Sequence, residues 1–443
     1  MRRTTKEGGK AQSHVVGEVR KTNLCGSLIL GILILAGMPG AIVHAKDFND
    51  WLDEGDYLLS IDWDYDGAIQ AYSHAIELDP SSIMAGMAYI GRARAYDHKN
   101  ESDMAIQDYD RALAIAPRDI EAFYGRGQAR VHKGEYALAI QDFSQALAIE
   151  PRGTNASNER GRARSHLGQL DLAIQDFNYT LGLDPKNTCA LWSRGLAYFA
   201  KNECDRAIQD FSQALAIDTD YVEAYHGRGL AYCLQGKFDP AIHDYDRVLR
   251  LNPNDTDAFL NRGFAHDSKW EYDLAIQDYT QVLKLNPNYT RAYTSRGFAY
   301  DAKHEYDRAI QDYTEALKLD PDYADAYFKR GMADRSKGDN DLAIQDYTQA
   351  LRLDPSNSCA YNNRGLIYCD KGEYDLAIQD YTQALKLDSS FTPDFYFRAK
   401  AHELAGHIAE AIADYEHFTA VAIPAESGFV AAAKKRVEAL KSQ

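Results

Sequence analysis

The sequence predicts an all-α chain of stacked helical hairpins. Three observations carry this reading: a short string that recurs every 34 residues, apolar residues spaced for two helices within each period, and turn-forming residues between the two. The string is Ala-Ile-Gln-Asp-aromatic, with its Ala at 105, 139, 173, 207, 275, 309, 343 and 377; at 241 His replaces Gln, and looser copies begin at Ala68 and Ala411. Setting this Ala to position 20 divides the chain into eleven units: 49–82, a three-residue insertion, then ten unbroken units over 86–425.

Residues 1–45 stand apart. Arg2, Arg3, Lys6, Lys10, Arg20 and Lys21 precede an apolar run of 11 residues, Leu28 to Met38, followed by Pro39-Gly40 and Val43-His44-Ala45. A basic start, a short apolar stretch and small residues at a cutting position make a secretory signal peptide, with cleavage expected after Ala45. The alternative is an uncleaved anchor over 24–45, although the run is shorter than the roughly 20 residues a bilayer span needs. Either arrangement predicts an exported chain, periplasmic or secreted, or else membrane-anchored. Cys189, Cys204, Cys233, Cys359 and Cys369 remain after a cut. An odd, scattered set is no disulfide framework, so they read as small buried apolar residues.

Composition is ordinary for a soluble protein, 45% apolar and 26% charged, which argues against a wholly disordered or multi-span chain. Beyond residue 45 there are 43 basic against 64 acidic residues, net −21. That field repels phosphate, so nucleic acid and anionic membrane surfaces are not expected as partners. Membrane attachment follows only from an uncleaved N-terminal segment.

Residues 46–85 form a linker, a divergent first unit and the insertion; Trp51, Leu52, Tyr57 and Leu59 fit the pattern only with a shift. In later units position 4 is usually aromatic, position 8 usually Gly and position 11 often Tyr, one stripe of a first helix. Positions 20, 24 and 27, small then aromatic then small, stripe a second helix, so the two can approach closely. Lys-Gly-Glu-Tyr-Asp, as at 371–375, reads as the turn, and Pro at position 32 ends the second helix in eight units. In the tail, 426–443, Phe429, Ala433, Val437 and Leu440 fall at helical spacing, with Lys434, Lys435 and Arg436 elsewhere, as a capping helix needs.

Position 7 is Arg and position 23 is Asp in each of the last ten units; Arg228 with Asp244, Arg262 with Asp278, Arg296 with Asp312 and Arg330 with Asp346 are examples. Each flanks a packing stripe, which predicts a structural ladder of buried ion pairs rather than a set of anion-binding arginines. Lys never replaces Arg, so a two-point fork on the carboxylate is expected. Spacing leaves open whether each Arg meets the Asp of its own or of the preceding unit.

A 34-residue period with Gly, Tyr, Ala, aromatic, Ala and Pro at positions 8, 11, 20, 24, 27 and 32 resembles the tetratricopeptide repeat, over about 377 of the 443 residues. The resemblance implies a right-handed superhelical α-solenoid whose first helices line a concave groove. It further implies a non-enzymatic scaffold that binds a partner protein or peptide through helix A positions 2, 5, 9, 12 and 13. Carried onto this chain, those positions give Trp192, Leu196, Phe199, Leu230, Leu260, Phe264, Phe298, Phe328, Met332 and Leu366 as candidate partner-binding residues. Asp257, Asp267, Asp301 and Asp325 rim this column, so the expected partner is apolar and carries basic residues. Towards the N-terminus the column becomes polar, with Arg94, Gln128, Arg162, His98, His132 and His166.

Signals for other chemistry are thin. Asp62-Trp63-Asp64-Tyr65-Asp66-Gly67 opens like a calcium loop, but Ser73 stands where a bidentate Glu is needed. His402 and His407 are five apart, too far round a helix to chelate zinc together. With no phosphate-cradling loop or nucleophile elbow, neither a cofactor nor a metal nor a catalytic residue is expected. The alternative function is a membrane-anchored structural component of a cell-envelope assembly.

Overall fold

The computed structural model describes residues 46–423 and 426–442. The signal-like segment and the anchor alternative at 24–45 lie outside the described residues. Among those described, no helix is long and apolar enough to cross a membrane.

From Phe48 onward the chain forms consecutive antiparallel helix pairs. In units 3–8 helix A covers positions 1–13, as in Thr256–Ser268, and helix B positions 17–30, as in Tyr272–Leu285. Local chemistry sets these limits. Where position 34 is Asp or Asn it caps the next helix A: Asp119, Asn187, Asp255 and Asn357 each accept from the amide of an Ala three residues on, at 2.8–2.9 Å. Helix A stops because position 15 turns left-handed in all eleven units. Gly fills it in six of them, Asn100 and Asn202 in two, and Trp63, Trp270 and His304 in the others, at φ 57–64°.

The two helices of a unit lock through one ring. The position-24 aromatic of helix B, such as Tyr279, is fully buried, and a Cβ built on Gly263 at position 8 would lie 2.7 Å from its Cε1. Only Gly allows that approach, and the same pairing recurs, as Gly127 with Phe143 and Gly297 with Tyr313. Buried Ala at position 20, and at position 27 in most units, lets helix B approach with little side chain between backbones.

Each helix B also packs on the next helix A, and first helices of successive units touch one another, so the helix A layer is the tighter one. The result is an all-α solenoid. In unit 1 a π-helical turn, Leu58–Asp62, takes up one extra residue, so Gly55 lies against Tyr72 from one position earlier than its counterparts. The insertion extends helix A of unit 2 backwards, giving Ile83–His98. The last helix, Ser427–Lys441, packs on Ile408–Val421 with Ala433 and Leu440 buried; Phe429 instead lies half-exposed across Tyr396. All five described cysteines are unbridged, and Cys189 and Cys359 are exposed, contrary to the expectation that all are buried.

Candidate functional site

The recurring Arg and Asp meet within a unit. Arg262 donates from Nε and Nη2 to Asp278 at 2.9 and 2.6 Å, and the same fork joins Arg228 to Asp244, Arg296 to Asp312 and Arg330 to Asp346. Donating to the Asp278 carboxylate holds the Arg262 guanidinium above its ordinary pKa. The third nitrogen leaves the unit, reaching position 25 of the preceding one: Asp246 from Arg262 at 2.5 Å, Ser212 from Arg228 and Thr280 from Arg296 at 3.0 Å. Position 4 supplies an aromatic face under most of these guanidiniums, as Phe259 does 5.6 Å from Arg262. These arginines are satisfied on three sides and serve the stack.

A second ladder escaped the sequence reading. Lys at position 14 reaches back to Asp at position 18 of the preceding unit, as Lys269 does to Asp239 at 2.7 Å and Lys303 to Asp273 at 2.6 Å. Most of these lysines also meet the acidic residue two places on in their own turn, as Lys269 does Glu271. The Lys-Gly-Glu-Tyr-Asp string held this signal, but its partners lie about 30 residues apart and only stacking brings them together. The acidic partners are exposed, so each rung is weak and screened by salt.

The candidate partner-binding residues divide by burial. Leu196, Leu230, Phe264, Phe298 and Met332, all at position 9 of helix A, are 37–48% exposed and make one row along the helix A layer. Trp192, Phe199, Phe328 and Leu366 are half-buried, Trp192 against Tyr221 and Phe328 against Tyr347. Leu260 is a correction: at 6% exposed it belongs to the core with Ala275, Tyr279 and Ala292, because position 5 there turns inward.

Acid lies beside the row. Burial pushes the Asp267 carboxyl up to about 6 against the opposing pull of Lys329, and raises Asp301 as well. Asp267 Oδ1 is buried without a hydrogen-bond partner. Asp325 holds Lys329 at 2.9 Å, and that ammonium lies 5.9 Å from the centre of the Phe298 ring.

At the N-terminal end the polar groups pair with one another. His98 stacks on Tyr65, His166 stacks on Tyr136, and His132 meets Asp97 at 3.2 Å. Arg94 pairs with Glu121 and lines a cavity of about 310 Å³. Of the calcium-like residues, Asp64 caps its helix by accepting from the Gly67 amide, and Asp66 takes Lys99. His402 and His407 touch through Nδ1 at 3.4 Å.

Comparison with known proteins points the same way as the packing. A model described as "Tetratricopeptide repeat" matches residues 63–120, 92–156, 124–188, 265–324 and 294–358, a second of that description matches 222–255 and 358–391, and one described as "TPR repeat" matches 195–236. No curated protein matches the chain. Among solved structures, MamA protein is similar at 30% identity over 39% of this chain and 94% of its own, with a TM-score of 0.37. A tetratricopeptide repeat protein from Parabacteroides merdae is similar at 17% over 57% and 98%, with a TM-score of 0.47. Yeast Tom70 is similar at 16% over 89% and 96%, with a TM-score of 0.41. With repeat models covering most of the region from 63 to 391, and a glycine–ring lock closing one hairpin after another, the chain belongs to the tetratricopeptide-repeat family.

Proposed function

We propose that this protein is a non-enzymatic scaffold that holds a segment of a partner protein along its helix A layer. The supporting observation is the row Leu196, Leu230, Phe264, Phe298 and Met332. The pairing of helix A with helix B is already filled by positions 4, 8 and 24, so these side chains are surplus to the core and stand exposed on one face. The carboxylates of Asp267, Asp301 and Asp325 favour an apolar segment that carries basic residues. The signal-like residues 1–45 support placing this surface outside the cytoplasm. The test is co-purification of the full chain from its native cells. A Phe264→Asp, Phe298→Asp variant with an unchanged melting curve is expected to lose its partner; retention of every partner would contradict the reading.

A further inference from the structure

The turn of the last hairpin brings together two histidines that the spacing alone would keep apart. His402 and His407 would fall on different faces of one continuous helix, but they belong to two. Pro393–Leu404 ends before Gly406, whose backbone is left-handed at φ 84°, and His407 stands at the N-cap of Ile408–Val421 without making a side-chain cap bond. The chain doubles back and sets the two imidazoles side by side, at positions 11 and 16 of the unit. The same positions meet in unit 7, where His266 Nδ1 lies 2.7 Å from a carboxylate oxygen of Glu271. The contact is therefore a property of the hairpin, and the last unit has an imidazole where unit 7 has a carboxylate.

The two rings present Nδ1 to each other. These nitrogens are 3.4 Å apart, too long for a good hydrogen bond, and the ring planes are tilted by 54°. Two nitrogens at that separation, each about 2.1 Å from a common ion, subtend about 110° at it, close to the tetrahedral angle that zinc takes. His402 Nε2 lies 4.0 Å from the buried carboxylate of Asp414, which the Arg398 fork holds in place. A carboxylate behind the ring favours the proton on Nε2 and leaves the Nδ1 lone pair for a metal, as in other oriented histidine ligands. Burial lowers the His402 pKa, which keeps the ring neutral at neutral pH. His407 is exposed, so the pair opens to solvent, and Glu410 in the first turn of the second helix adds negative charge.

We infer that His402 Nδ1 and His407 Nδ1 form a binding site for a zinc-like divalent cation, with water completing its shell. Imidazole pairs suit such borderline ions. Among the described residues no group of three His, Cys, Asp or Glu can hold an ion, so the site has two protein ligands and binds in the micromolar range, more weakly than a closed structural zinc site. A bound ion ties the end of one helix to the start of the next, beside Glu403, which accepts from Arg436 of the C-terminal helix at 3.2 Å. It therefore stiffens the hairpin on which that helix rests, and it acts independently of the helix A row.

The test is calorimetric titration of the untagged full chain with ZnCl₂, with MgCl₂ as the control because Mg²⁺ prefers oxygen ligands. The wild type is expected to bind Zn²⁺ with a micromolar dissociation constant, to give no heat with Mg²⁺, and to melt at a higher temperature when Zn²⁺ is present. His407→Ala removes an exposed side chain. It is expected to keep the metal-free melting curve, to lose one equivalent of Zn²⁺ binding and to lose the zinc-dependent rise in melting temperature. His402→Gln is expected to lose the same equivalent. Absence of Zn²⁺ binding by the wild type, equal binding by either variant, or an equal response to Mg²⁺ would each overturn the site.

Discussion

Arg262 and Asp278 meet in a two-point fork, 2.9 Å from Nε and 2.6 Å from Nη2, and the remaining nitrogen of Arg262 crosses to Asp246 in the preceding unit. One side chain therefore closes its own hairpin and fastens it to its neighbour. Asp278 is buried, whereas Asp246 is 45% exposed at its side chain.

That asymmetry separates two variants. Arg262→Ala strands a buried carboxylate and is expected to cost about 3–5 kcal/mol. Asp246→Ala removes a solvated partner and is expected to cost under about 1 kcal/mol. Urea unfolding followed by circular dichroism checks both, with hydrogen exchange to show that the loss begins around units 6 and 7, since repeat arrays open locally.

The glycine–ring lock makes a second prediction. In Gly263→Ala the new methyl would overlap Tyr279, whose ring is buried and has no room to swing aside. Overpacking of this kind costs about 1–3 kcal/mol. A Gly263→Ala, Tyr279→Leu chain is expected to recover part of the loss, and equal midpoints for the two chains would count against the lock.

Trp270 shows the opposite case, a side chain that costs stability. It holds a left-handed backbone at φ 64° with 80% of its surface exposed, so little packing offsets the strain. Trp270→Gly is expected to stabilise by about 1 kcal/mol, read as a higher melting temperature, and Gly372→Trp to do the reverse at the equivalent turn, where φ is 79°.

Much of this architecture was legible because periodicity reports helices directly. The Ala string, the Gly at position 8 and the aromatic at 24 marked the faces that meet, and the invariant Arg and Asp stood beside them. Partners across units were harder to see. Lys269 and Asp239 are 30 residues apart, and the position-25 acceptors vary among Asp, Asn, Ser and Thr, so no single residue type recurs there. Leu260 was misread because positions 5 and 9 are one helical turn apart and the helix rotates position 5 towards the core.

Acidity near the row gives a pH dependence. The Asp267 carboxyl is pushed up to about 6 from an ordinary 3.8, chiefly by burial, so the folded chain binds its proton more tightly than the unfolded one. This group favours folding when protonated and loses that contribution as pH rises from about 4 through about 6. Asp267→Asn is expected to raise the melting temperature at neutral pH and to change it little near pH 4.

The central claim is that partners lie along the exposed position-9 row. Site-specific photocrosslinking in the native cell tests it most directly, with a photoreactive residue at Phe298 or, as a control, at Leu274, an exposed site on helix B. The account predicts a crosslinked partner band from position 298 and none from 274. The same band from both sites, or from 274 alone, would contradict it.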